Sequence, residues 1–141
     1  MFYEQRMTVP DSPDELRAEY EDDLAAIVDD RGPVAVASET SLEAETLEAL
    51  TAGKSPELTL EEAAEIQSLA EGTPDPETIV TMALEHLLLG MSTAVLDVDA
   101  VESHLDIELD AKEVHQKIEG RAPMSFGEFV HIQYVIADGA S

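Results

Sequence analysis

Lys112, Lys117 and Arg121 are three of only seven basic residues in a chain of 141, and they fall within ten positions. Lys112, His115 and Gln116 lie at i, i+3 and i+4, so a helix over this segment puts them on one face. That combination suits a nucleic acid. Lys and Arg meet phosphate or guanine, and Gln reads adenine through two hydrogen bonds. It suits equally well an ion-pairing patch that meets carboxylates of the same chain or of a second copy. The candidate nucleic-acid contacts are therefore Lys112, His115, Gln116, Lys117 and Arg121, with both readings open.

Other chemistry is scarce. The chain has no cysteine, hence no disulfide framework and no thiolate ligand or nucleophile. His86, His104, His115 and His131 show no His-x-x-x-His spacing and no recurring Glu-x-x-His pair of the kind a di-metal bundle needs. Glu128 and His131 lie at i, i+3, and Asp99 lies near His104 in sequence, which leaves each pair short of a ligand set. Acidic runs such as Glu19–Asp23 read as a solvated face. Ser–His–Asp motifs, Gly-rich phosphate loops and Walker patterns do not occur. The expectation is a protein without enzymatic activity, cofactor or metal.

The charge balance sets the environment. Thirty-two acidic residues against seven basic ones give a formal charge of −25. Self-repulsion of that size opposes a compact state in dilute buffer. High net charge is one mark of disorder. It is also compatible with folding in concentrated salt, where the Debye length falls to about 3 Å at 1 M. Apolar residues at helical spacing and well-formed caps favour the second reading, a cytoplasmic protein of a K⁺-rich, salt-accumulating cell. Acidity of this origin neither indicates nor excludes nucleic acid as a partner. The N-terminus lacks a basic-plus-apolar signal, and the most apolar run, Ile79–Leu96, carries Glu85 and His86 midway, which argues against a membrane span.

These residues must be positioned by helices. Residues 1–11 have no periodicity and read as a loose arm. Ser12-Pro13-Asp14-Glu15 starts a helix whose face is Leu16, Tyr20, Leu24 and Ile27, and Gly32-Pro33 ends it. A short helix over Val34–Glu39 follows. Ser41 then caps a helix through Ala52, and Thr59-Leu60-Glu61-Glu62 is a capping box for one reaching Ala70. Asp75-Pro76 opens the second half as Ser12-Pro13 opened the first. Its helices run from Ile79 to Val95, Val98 to Leu105 and Asp110 to Glu119, then onward from the Ser125–Glu128 capping box. Gly90 marks close packing or a break in the most apolar of them. No stretch alternates as a strand does, so the chain is all-α, with about eight helices packed as one compact body.

The halves also resemble each other. GKSPELTLEEAAEIQSLAEG (53–72) aligns with GRAPMSFGEFVHIQYVIADG (120–139) once Glu57 and one of Val135 or Ile136 are inserted. Shared helix punctuation explains Gly53/Gly120 and Glu62/Glu128, but not Pro56/Pro123 or Ile66-Gln67/Ile132-Gln133. The organisation is an arm (1–11), a first unit (12–72) and a second unit (73–141). The order long helix, short helix, medium helix, glycine turn, helix resembles helix-turn-helix domains of the phage-repressor type. That resemblance implies two such units in tandem, whose medium helices would enter the major groove. The first carries Glu43, Glu45 and Glu48 there and no base before Lys54, so the second would make the contact. At full length the chain also resembles a family of small haloarchaeal proteins, through ALTAGKSPELTLEE (49–62), LLLGMSTAVLDVD (87–99) and EVHQKIEGRAPMSFGE (113–128). The resemblance implies a haloarchaeal cytosol and assigns no functional residue.

Two functions follow as expectations. One is a regulator that contacts double-stranded DNA through residues 112–121. The other is a non-enzymatic protein-interaction module that has lost DNA binding. It would dimerise or dock another protein through its apolar central helix or through Phe2 and Tyr3. The charge argument makes its own prediction. Helicity and melting temperature should fall in about 0.05 M KCl and recover toward about 2 M. Circular dichroism that does not change across this range would refute it.

Overall fold

Ser12 and Asp75 start the two longest helices in the same way. The Ser12 hydroxyl accepts from the Glu15 N–H at 3.2 Å, the Asp75 carboxylate accepts from the Thr78 N–H at 2.8 Å, and a proline follows each cap. The two helices, α1 (Pro13–Arg31) and α5 (Pro76–Ala94), have the same length. Counted from the caps, the buried residues Leu16, Tyr20, Leu24 and Val28 correspond one for one to Ile79, Ala83, Leu87 and Met91. A computed structural model describes residues 1–140, all eight helices and no strand among them.

The correspondence continues along the chain. The short helices α2 (Pro33–Glu39) and α6 (Val98–His104) bury Val36 and Val101 at the same position. Next come α3 (Ala44–Thr51) and α7 (Ala111–Ile118), equal in length, burying Leu47 and Val114. The last pair is α4 (Leu60–Gln67) and α8 (Phe126–Ala140). Leu60, Ala63, Ala64, Ile66 and Gln67 are buried in one, Phe126, Phe129, Val130, Ile132 and Gln133 in the other. The halves share a single core: α1 packs on α8 as well as on α3 and α4, and α5 packs on both α4 and α8.

The halves meet at their loops. Thr59 and Ser125 face each other in an antiparallel bridge, where the Leu60 N–H donates to the Met124 carbonyl (3.0 Å) and the Phe126 N–H to the Leu58 carbonyl (2.8 Å). These donors belong to the first turns of α4 and α8, which have no partner within their own helices.

Several sequence expectations need correction. Residues 1–11 are not a loose arm. Phe2 is buried and makes edge-on contacts with Tyr3, Tyr20, Phe126 and Phe129, while the Tyr3 carbonyl meets His86 Nδ1 at 2.6 Å. An aromatic side chain finds more apolar contact in the core than a charged surface can offer it. Phe2 and Tyr3 are thus unavailable for docking. Ser41 does not cap α3: its N–H and hydroxyl both go to the Glu65 carboxylate, and α3 starts at Ala44. On α1 it is Val28 that reaches the core, while Ile27 is half-buried.

Among the described residues no single helix is long and apolar enough to cross a membrane. Only α5 and α6 together reach that length, and they are bent by 93° at their junction. Gly90 does not break α5. A Cβ there would stand 2.7 Å from Ile136 Cγ2 on α8, so the glycine permits close approach of the two helices. Gly90→Ala should therefore cost about 1–3 kcal/mol in denaturant titration, despite alanine's better helix propensity. In an Ile136→Ala background the penalty should shrink. An equal penalty in both backgrounds would refute the close-approach account.

Candidate functional site

The five candidate contacts do not act as one surface. Lys112 and His115 are exposed on the outer face of α7, with Gln116 half-buried beside them. Lys117 turns the other way, into the loop that joins α7 to α8. Its ammonium donates to the Pro123 carbonyl at 2.7 Å and to Glu128 Oε1 at 3.0 Å, and its side chain is only 14% exposed. Arg121 and His115 converge on a single carboxylate, Glu119 Oε1, at 2.6 and 2.8 Å. Lys112 makes no ion pair among the described residues. Most of the local positive charge is thus neutralised within the α7–α8 segment.

The same carbonyl is held in the first half by a different residue. Pro56 corresponds to Pro123, and its carbonyl accepts from Arg17 Nη2 of α1 at 3.2 Å. Arg17 also pairs with Glu21 at 3.1 Å, and Ser55 donates to Glu21. This polar clasp fastens α1 to the first loop. The Arg17 guanidinium also lies against Gly127, where a Cβ would come within 2.9 Å of Nη1.

Among the described residues nothing comparable fastens α5 to the second loop. The positions that correspond to Arg17 and Glu21 are Val80 and Leu84, and Ser55 corresponds to Ala122. Between them lies an open groove of about 390 Å³, floored by Leu60, Val80, Leu84, Leu88, Ile118 and Met124, rimmed by Glu61, Glu85 and Glu119, and lined also by Lys117. The stripe Val80–Leu84–Leu88 is separate from the buried stripe of α5, and Leu88 is 47% exposed. It continues to Val95, which is 89% exposed and has φ 57°, ψ 47°. A β-branched residue in the left-handed region is strained, and the corresponding residue at the end of α1 is Gly32. In the sequence, the signal for this groove is a second apolar row on α5 where α1 has Arg17, Glu21 and Ala25.

A smaller cavity of about 200 Å³ between α6 and α8 is lined by His104, His131, Tyr134, Asp106 and Asp138. No group of three His, Asp or Glu side chains is placed to hold a metal ion among the described residues. His104 Nδ1 meets the Ala100 carbonyl at 2.8 Å. Glu128 turns to Lys117 and to the Ser125 N–H rather than toward His131.

The electrostatics of the loop follow from these contacts. Burial pushes the Glu128 carboxyl up, but the Ser125 N–H and the Lys117 ammonium outweigh it and hold the group below the usual carboxylate range. Arg121, with help from His115, holds Glu119 low as well. A depressed folded pKa contributes stability above the ordinary carboxylate range and loses it as pH falls through the folded value. Glu128→Gln should therefore cost about 1–2 kcal/mol at neutral pH, and its deficit should vanish in acid. Glu62→Gln, in the matching capping box without a lysine, should cost less. A Glu128→Gln deficit that does not vary with pH would contradict the charge assignment.

No curated protein and no solved structure matches the chain. The family of unknown function DUF5791 matches residues 16–139, from the first buried leucine of α1 to the last turns of α8. The chain belongs to this family.

Proposed function

We propose that the protein is a non-enzymatic interaction module that docks a helical segment of a partner protein along α5. The observation that carries this reading is the apolar row Val80, Leu84 and Leu88 on α5, half-buried at the first two and exposed at the third, followed by exposed Val95 at the helix end, on the side away from the buried stripe. From Val80 to Val95 the row spans about 22 Å, the length of a helix of about fifteen residues. Its carboxylate rim favours an amphipathic helix with basic flanks, the helix-in-groove mode. A second copy of this chain would set like charges against each other there. A strained, exposed Val95 where α1 has glycine supports the same reading, since backbone strain concentrates at binding sites. A second reading, a helix-turn-helix regulator of a halophile's cytoplasm that contacts DNA, is favoured by the outward side chains of Lys112 and His115 on α7.

The test uses a fluorescent amphipathic Leu/Lys helical peptide and a scrambled peptide of the same composition, in about 2 M KCl, where charge attraction alone is screened. The amphipathic peptide should bind at least about tenfold tighter, and Leu84→Glu or Leu88→Glu should remove that margin of about 1.4 kcal/mol. Val95→Gly should stabilise the fold by about 1 kcal/mol and yet weaken docking. Equal affinity for the two peptides would overturn the docking reading. Retention of genomic DNA fragments by the folded protein, lost on changing Lys112 and Gln116, would put the regulator in its place.

A further inference from the structure

The segment from Lys117 to Glu128 is twelve residues long, leaves α7 at its second position and enters α8 at its tenth. The loop between the helices is residues 119–125, but the twelve-residue span that takes in both helix ends and closes on a glutamate has the length of the EF-hand loop. There a calcium ion takes oxygen from positions 1, 3, 5, 7, 9 and 12, with position 7 giving its backbone carbonyl and position 12 its carboxylate. In this chain position 7 is Pro123 and position 12 is Glu128. The Lys117 ammonium from position 1 binds both, at 2.7 and 3.0 Å. Glu119 and Ser125 stand at positions 3 and 9. Position 5 is Arg121, a second cation, paired with Glu119. The loop also sits back to back with its counterpart through an antiparallel bridge, so two helix–loop–helix units are coupled at their loops. It differs from the EF-hand in carrying Ala122 at position 6, with the positive φ at Gly120 instead.

We infer that this is a cation-coordinating loop that carries its own cation: the Lys117 ammonium occupies the place of the metal ion and draws the Pro123 carbonyl and the Glu128 carboxylate together. The first loop agrees, because its own proline carbonyl is also held by a side-chain cation. That cation, Arg17, comes from α1, since the position of Lys117 is there taken by the buried Leu50. The consequence is a loop closed at all times, where a metal loop closes only when loaded. It also follows that the two halves of the loop are held by charge and geometry that a divalent ion can supply once the lysine is gone.

The experiment compares wild type, Lys117→Met and Lys117→Asp in the same concentrated KCl, by thermal melting and by calorimetric titration with CaCl₂. Lys117→Met removes the cation while keeping the aliphatic stem, and should lower the melting temperature by about 5–10 °C. Lys117→Asp should fall at least as far in chelator, because it sets a second carboxylate beside Glu128 at the Pro123 carbonyl. It should recover at least half of that loss in millimolar CaCl₂, with one ion bound per chain. Wild type and Lys117→Met should gain nothing from calcium. If calcium stabilises Lys117→Asp no more than wild type, or Lys117→Met melts where wild type does, the inference is overturned. Should Lys117→Asp fail to fold in chelator, its folding on adding CaCl₂ gives the same reading by circular dichroism, and its failure to fold there gives the opposite one.

Discussion

Two backbone hydrogen bonds, Leu60 to Met124 and Phe126 to Leu58, fix the relation between the halves. A helix start leaves N–H groups without partners, and here each half supplies the acceptor for the other. The bridge sets α4 and α8 side by side with Leu60 and Phe126 entering the core from either side. The aromatic cluster builds on that placement. Phe126 and Phe129 stack on α8, Phe2 stands edge-on to both, and Tyr20 reaches across to Gln133, whose amide also donates to the Phe2 carbonyl. A chain with only six aromatic residues places five of them here, which explains why the N-terminal residues are drawn in.

A chain this acidic has few cations to place, and four of its seven basic residues share one pattern. Arg6, Arg17, Arg31 and Lys117 each bond one carboxylate and one backbone carbonyl: Glu19 and Thr8, Glu21 and Pro56, Glu39 and Leu69, Glu128 and Pro123. Exposed ion pairs contribute little and fade in salt. A hydrogen bond to a carbonyl at a loop or helix end is not screened in the same way, and those of Arg17 and Arg31 tie positions 39 and 38 residues apart. These four therefore serve as struts, and the pairing of Lys117 with Glu128 and of Arg121 with Glu119 leaves residues 112–121, positive in sequence, largely neutral in space.

Helix punctuation made most of the fold legible. Ser12-Pro13, Asp75-Pro76 and the boxes at Thr59 and Ser125 all cap helices where their spacing says they should, because capping is local. Ser41 did not, since a carboxylate three-dimensionally close, Glu65, competed for its hydroxyl. The burial of Phe2 was equally illegible, for it depends on a hollow that only the assembled helices create. At the site, helical spacing grouped Lys112 with His115 and Gln116. It could not show that Lys117, one position further on, turns inward to a carbonyl six residues away.

Repetition made the informative positions visible, because each half is a control for the other. Where both keep the same kind of residue, as at Val36 and Val101 or Gln67 and Gln133, the position serves the shared fold. Where they part, the difference needs a cause of its own. Arg17, Glu21 and Ser55 close the cleft between α1 and its loop, whereas Val80, Leu84 and Ala122 leave the matching cleft open. Gly32 ends α1 without strain, whereas Val95 ends α5 with it and projects into solvent. Both changes leave apolar surface open to water, at Leu88 and at Val95, and one adds backbone strain. Places where a sequence breaks local rules are expected at functional or strained sites. Both departures fall on the same side of α5, and the loop held by Lys117 forms the wall of the groove beside them.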